Sequence, residues 1–130
     1  MTVHALRITN ATNLKLKGVD IQWDKPALDQ WQSALDMENV QGVELEGFSG
    51  RQAWPNRDFP AVAFNNVSDA MIRNSRAAEG TGVFLGVRGS KSGDICLYGN
   101  DLRKAQAPYR VAPDAIAARV SAVQNLLPPN

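Results

Sequence analysis

The sequence predicts a mainly β protein, an antiparallel β-sandwich with two short flanking helices. Apolar and polar residues alternate in several short segments, and turn-forming Gly, Asn and Pro separate these segments. Strands with one apolar face must pair those faces to form a core. The length of 130 residues and the apolar content of 44% predict one compact domain over residues 1–130. The alternative is an α+β fold, a single antiparallel sheet with helices on one face.

The first elements in this prediction are a hairpin and a helix. Residues 3–9 and 14–23 alternate on either side of the turn-forming "NATN", and the alternation changes phase at Gly18, as at a β-bulge. Residues 24–37 change to helical spacing, with a proline suited to the first turn. The segment therefore predicts a short helix.

Three strands and a long loop follow. Alternation predicts strands over 40–48 and 61–67, and more weakly over 68–76, where a serine at the start would also suit a helix. The loop 49–60 between them, "SGRQAWPNRDFP", combines prolines, aromatic residues and arginines.

The glycine-rich stretch "GTGVFLGVRGSKSGDICLYG" predicts a hairpin rather than a nucleotide cradle. Two alternating runs flank the five-residue loop "GSKSG". A dinucleotide fingerprint needs a third glycine where Leu85 stands, and a P-loop needs Gly-Lys-Ser/Thr, which this loop does not supply. A short strand at 109–111 follows. An apolar stripe at helical spacing predicts the second helix over 113–127.

Charge and cysteine content argue against several functions. A net charge of +1 gives no overall field for nucleic acid, so no nucleic-acid partner is expected. Cys96 and His4 are the single cysteine and the single histidine, so neither a disulfide nor a structural zinc site is expected. We expect no cofactor. No signal peptide is visible, which predicts synthesis in the cytoplasm, with export by a non-classical route or release by lysis still open.

No residue stands out as catalytic. Cys96 lies in mid-strand, where a buried hydrophobe is the commoner role, and His4 is more often a satisfied histidine than its base. Glu44 and Glu46 share one strand face, which is usually solvated.

Aromatic and basic residues provide the candidate binding sites. Trp54 and Phe59, beside Arg51 and Arg57, suit either a membrane interface or a protein partner, and the two rings could equally fold inward onto the core. The loop with Arg88, Ser90, Lys91 and Ser92 offers a weak anion site, although a plain turn is the simpler interpretation.

Three stretches resemble aegerolysins and related small bacterial insecticidal proteins over about half of the chain. They are "VHALRITNATNLKLKGVDIQWDKP", "NSRAAEGTGVFLGV", and "GDICLYGND" followed by "APYRV". The resemblance implies a β-sandwich that binds membrane lipid, sometimes as half of a two-component pore-forming toxin. It places Tyr98 and Tyr109 in the region of the family's aromatic loops. The predicted helices and the near absence of cysteine depart from the family's pattern.

These observations favour a non-enzymatic membrane-lipid-binding protein, a component of a small pore-forming or insecticidal toxin. Its partners would be membrane lipid or a second protein component, and a homo-oligomer is compatible with this function. One alternative is a protein-binding module, such as an immunity- or chaperone-like partner. The other is a small toxin enzyme whose cleft the sequence does not reveal.

Overall fold

Successive turns of the chain stack on one another through parallel strands. The computed structural model describes residues 4–23, 31–55, 59–115 and 119–129. Its strands, in chain order, are β1 Leu6–Lys17, β2 Leu35–Glu46, β3 Ser49–Gly50, β4 Pro60–Arg73, β5 Arg76–Ala77, β6 Val83–Arg88, β7 Gly93–Tyr98, β8 Ala107–Val111 and β9 Val120–Val123.

Every strand pairing among the described residues is parallel, so the architecture is a β-solenoid. β1 pairs with β2 and β2 with β4. The first half of β4 pairs with β6, which pairs with β8. The second half of β4 pairs with β7, which pairs with β9. The predicted antiparallel sandwich is therefore wrong. The single-sheet α+β alternative is wrong as well, because it also required antiparallel pairing.

Both predicted hairpins are wrong for the same reason. Residues 6–17 form one continuous strand that runs through "NATN", and β6 and β7 each pair with β4 instead of with each other. Gly18 is not a bulge but a corner with φ of +67°.

The two predicted helices are absent from the residues that can be assessed. Residues 24–30 lie outside the described part of the chain, and Leu35–Met37 belong to β2. In the tail, Pro113–Ala115 form a single 3₁₀ turn and Val120–Val123 form β9, while residues 116–118 are not described. The strands predicted over 40–48, 61–67 and 68–76 are confirmed for most of their length. Residues 40–46 belong to β2, and residues 61–73 belong to the single strand β4. The short strand at 109–111 is part of β8.

A degenerate hexapeptide repeats once in each turn of the solenoid. It reads "NLKLKG", "GVELEG", "DAMIRN", "DICLYG" and "RVSAVQ", beginning at positions 13, 42, 69, 94 and 119. In the strand register Leu14 pairs with Val43, Val43 with Ala70, Ala70 with Ile95, and Ile95 with Val120. The last residue of every hexapeptide has positive φ, at Gly18, Gly47, Asn74, Gly99 and Gln124. The repeat therefore marks a left-handed corner, which Gly and Asn adopt at low cost.

The core is a stack of aligned apolar rows. Leu35, Val62 and Leu85 lie side by side on neighbouring strands, and each is fully buried. Phe48 and Phe84 make an edge-to-face contact at 6.1 Å between ring centroids. Because inner positions pack against the turns above and below, only the outer positions face the surroundings of the protein.

Candidate functional site

A groove lies on the outer face of the first half of the solenoid turn. One row of outward positions there runs Arg7, Asp36, Ala63, Gly86 and Arg110 across five neighbouring strands. The two small residues in the middle of this row leave a depression between longer side chains. The groove has a volume of about 410 Å³.

Gly86 makes room for Pro60 at the floor of this groove. A Cβ atom on Gly86 would lie 2.8 Å from Pro60 Cγ and 3.0 Å from Pro60 Cβ. The missing side chain thus lets the proline ring lie across β6. Phe59, the residue before it, also lines the groove, so an apolar surface adjoins the polar end.

Asp36 lies at the centre of the polar end of the groove, and it is only 4% exposed. Arg7 Nε lies 3.4 Å from Asp36 Oδ2, and Arg7 Nη2 donates to Glu38 at 2.9 Å. The His4 Nε2 atom lies 3.9 Å from Asp36 Oδ1. A buried carboxylate needs compensating charge or hydrogen bonds, and Arg7 supplies charge here.

A backbone contact fixes the tautomer of His4. The Ser33 amide donates to His4 Nδ1 at 3.2 Å, so the proton of the neutral ring resides on Nε2, facing Asp36. Burial lowers the pKa of His4 below its ordinary 6.5; the nearby Asp36 charge opposes this, and Arg7 and Arg88 add to the lowering. His4 is therefore neutral at pH 7.

Acidification should destabilise the fold through His4. Its pKa is lower in the folded state, so the unfolded state binds more protons below pH 6.5, and stability falls as pH drops through that value. The slope from this one group is at most about 1.4 kcal/mol per pH unit. Urea unfolding of the wild type and of His4→Gln, at pH values from 8 to 5, measures this pH dependence of the free energy of unfolding. The wild type should lose more stability than the variant, and parallel pH profiles would contradict the prediction.

Arg88 and Arg110 give the groove its positive charge. Both side chains line the groove, and both residues are exposed. Within the described ranges no carboxylate lies within 4 Å of Arg88, and Arg7 already pairs with Asp36. The groove can thus accept an anion.

The predicted membrane-facing residues are spread over the molecule. Phe59 lines the groove, whereas Tyr98 lies on the outer face of β7, 44% exposed, and donates its hydroxyl to Gln124. Tyr109 lies on β8 in the row with Leu85 and packs partly against the core.

The loop after β3 contains Arg51 and Trp54, which the sequence predicted to contact a membrane or a partner. In the structure both residues make contacts within the protein. The Arg51 guanidinium donates to the carbonyl oxygens of Gln52 and Ala53. Trp54 is half-buried, and its carbonyl accepts from the buried Gln52 side chain at 2.9 Å. Arg57 lies outside the described residues.

The predicted anion loop is the corner that joins β6 to β7. The Gly89 amide donates to Asp114 Oδ1, and the Lys91 amide donates to Asn66 Oδ1. Ser92 is buried; its hydroxyl donates to the Arg88 carbonyl at 2.8 Å and accepts from the Val67 amide. None of these contacts uses the side chain of Arg88, Ser90 or Lys91, and of these three residues Arg88 lines the groove.

Cys96 and His4 line different depressions. Cys96 lies on the outer face of β7, in a depression of about 570 Å³ that it shares with Glu44 and Asp69. His4 belongs to the groove on the other part of the turn. The nucleophile–base pairing considered from the sequence is therefore not assembled. In the part of the chain that the structure describes, no group of three or more His, Cys, Asp or Glu could hold a metal ion.

Comparisons with protein-family models, curated proteins and solved structures found no match. The β-sandwich implied by the resemblance to aegerolysins is not the fold of this chain. No helix within the described ranges is long and apolar enough to span a bilayer.

Sequence reasoning did not find Asp36 or Arg110. The residues of this groove come from five separate segments of the chain, and only the parallel register joins them. The repeated hexapeptide was the available signal, because aligning its copies places the strands in register.

Proposed function

We propose that this chain is a non-enzymatic recognition protein that binds an anionic ligand in the groove. The observation that carries the proposal is the exposed residue Arg88, which lines the groove beside a floor of small residues, with a second arginine, Arg110, in the same lining. Guanidinium groups bind carboxylates and phosphates through two parallel hydrogen bonds. The apolar rings of Phe59 and Pro60 favour a ligand whose anionic group is attached to an apolar part.

The arrangement of His4 favours binding over acid–base catalysis. Its Nδ1 atom accepts the Ser33 amide, and its Nε2–H faces Asp36. Neither nitrogen is thus available to take a proton from a substrate in this arrangement. The alternative of a small toxin enzyme gains no support from this histidine.

Membrane lipid remains one source of the anion. A lipid headgroup presents the same phosphate that a soluble ligand would, and the groove offers cations for it. The lipid proposal now depends on Arg88 and Phe59, because the other aromatic residues lie elsewhere in the solenoid.

Replacing Arg88 with alanine should weaken anion binding about tenfold to a hundredfold, since a charge-assisted hydrogen bond contributes roughly 1.5–3 kcal/mol. Citrate and inorganic phosphate are the soluble probes, with binding followed by calorimetry and by NMR shifts of groove amides. Vesicles of phosphatidylcholine with and without phosphatidylglycerol test the lipid source by co-sedimentation. Binding to anionic vesicles but not to soluble anions would identify a headgroup.

Arg119→Ala is the matched control, because Arg119 is exposed at the start of the fifth hexapeptide and does not line the groove. It should leave binding unchanged. Equal weakening by both variants would show nonspecific charge attraction. No binding to any probe would reject the proposed function.

A further inference from the structure

The free edge of β1 combines an apolar row with a basic row. Within the described part of the chain β1 pairs only with β2, so its other edge carries unpaired backbone groups over 12 residues. Such an edge is a template for one more strand.

The apolar row of β1 is covered on one side only. Leu6, Ile8 and Leu16 are half-buried, whereas their register partners Leu35, Met37 and Leu45 are completely buried. The two rows are equivalent in the repeat, and they differ because β2 lies between two strands while β1 has one neighbour. A further strand with inward apolar residues would complete the burial.

The outward row of β1 is basic and faces an acidic row on β2. Arg7, Lys15 and Lys17 lie in register with Asp36, Glu44 and Glu46. Arg7 Nε is 3.4 Å from Asp36, and Lys15 Nζ is 3.8 Å from Glu44. The side chains of Arg7 and Lys15 are nevertheless 53% and 70% exposed, so their open side can pair with further carboxylates.

We propose that the β1 edge binds an acidic extended segment of another protein by strand addition. The segment would alternate apolar residues, which cover the core row, with carboxylates, which pair with the basic row. β2 shows this pattern in its own sequence, "LDMENVQGVELE", and it already binds β1 on the opposite edge.

Charge argues against a second copy of this chain as the occupant. Two β1 edges would bring their basic rows together. Among the described residues β8 and β9 also have an open edge, and their outward positions, Pro108, Arg110, Ser121 and Val123, include no carboxylate. Neither a β1–β1 contact nor a contact of β1 with β8 or β9 of a second copy would place a row of carboxylates opposite the basic row of β1.

A synthetic peptide with the sequence of residues 35–46 tests the proposal. It should bind the intact protein and slow amide hydrogen exchange within residues 6–17. A control peptide with Asn or Gln in place of its four carboxylates should bind about tenfold more weakly, since several partly exposed ion pairs are lost. Equal binding of both peptides, or protection away from β1, would overturn the proposal.

Charge reversal on the protein provides the reciprocal test. Lys15→Glu with Lys17→Glu should lose the acidic peptide and gain a version with lysine at the four acidic positions. Lys15→Gln with Lys17→Gln is the milder variant in case the first one does not fold, and it should only weaken the acidic peptide. Lys104→Glu, on an exposed residue of another turn, should change neither result.

Two further measurements distinguish this surface from others. Arg88→Ala should leave peptide binding unchanged, whereas loss of binding would place the peptide in the groove. Sedimentation equilibrium should show a monomer. A dimer that excludes the peptide and slows amide exchange within residues 6–17 would mean that a second copy covers the edge, which would overturn the proposal.

Discussion

Replacing Asn100 with leucine should lower the free energy of unfolding by about 3 kcal/mol. Asn100 is 1% exposed, and its side chain makes three hydrogen bonds. Its Oδ1 accepts from the Ser75 amide at 2.9 Å, and its Nδ2 donates to the Ile72 carbonyl at 2.9 Å and to Asn125 Oδ1 at 3.0 Å. Leucine has a similar volume but leaves buried backbone groups without partners, each at a cost of roughly 1–3 kcal/mol.

Urea unfolding followed by circular dichroism measures this loss. Gln41→Leu is the matched control, because Gln41 is an exposed amide on the outer face of β2. Its stability should change by less than about 0.5 kcal/mol. A loss below about 1 kcal/mol for Asn100→Leu would show that water or a shifted neighbour satisfies the orphaned groups.

The size of this effect follows from a polar ladder that links four turns of the solenoid. The Phe48 amide donates to Ser75 Oγ, the Ser75 amide to Asn100 Oδ1, and the Asn100 amide to Asn125 Oδ1. Each turn thus satisfies a corner amide of the turn before it. The ladder fixes how the turns stack, and stacking in turn sets which outer residues meet in the groove.

Strand positions could be predicted from the sequence, but the way in which the strands pair could not. Alternation of polar and apolar residues shows which residues face inward, and it is identical for parallel and antiparallel partners. Turn-like "NATN" and "GSKSG" suggested hairpins, yet both segments provide left-handed corners within a turn, at Asn10, Asn13 and Gly89. The partner of each strand lies a whole turn away, beyond the range of local signals.

Unequal turn lengths concealed the repeat. The copies of the hexapeptide begin 25 to 29 residues apart, and only its apolar positions and its corner residue are shared. The wrong prediction of a helix in the tail has a related cause. Val120 and Val123 fit a helical stripe, but Val120 packs against the core while Val123 is 43% exposed on the outer row.

The candidate site could be predicted only in fragments. Phe59 and Arg88 were recognised for their chemistry, as an aromatic residue beside arginines and as a cation in a loop. The groove that contains both depends on Ala63 and Gly86, whose role is to be small. Ala63 and Gly86 form a depression only because longer side chains lie beside them on the neighbouring strands, and those neighbours are known only from the strand register.

Replacing Gly89 with alanine should lower the free energy of unfolding by at least about 3 kcal/mol. Gly89 has φ of +95°, which strains any residue with a side chain. Its added Cβ would collide with Asn66 Oδ1 and lie 2.7 Å from the Asn66 backbone nitrogen. Backbone strain and overpacking each cost roughly 1–3 kcal/mol, and the Asn66 backbone is held within β4.

Gly93→Ala is the matched control from the same "GSKSG" segment. Its Cβ would have no heavy atom within 4 Å, and Gly93 is not among the residues with positive φ. Its stability should stay the same or rise by up to about 1 kcal/mol, since alanine restricts the unfolded chain. Urea unfolding of the two variants decides between two roles for this segment. Losses of similar size would indicate a flexible loop, whereas a large loss at Gly89 alone would indicate a fixed corner that holds Arg88 toward the groove.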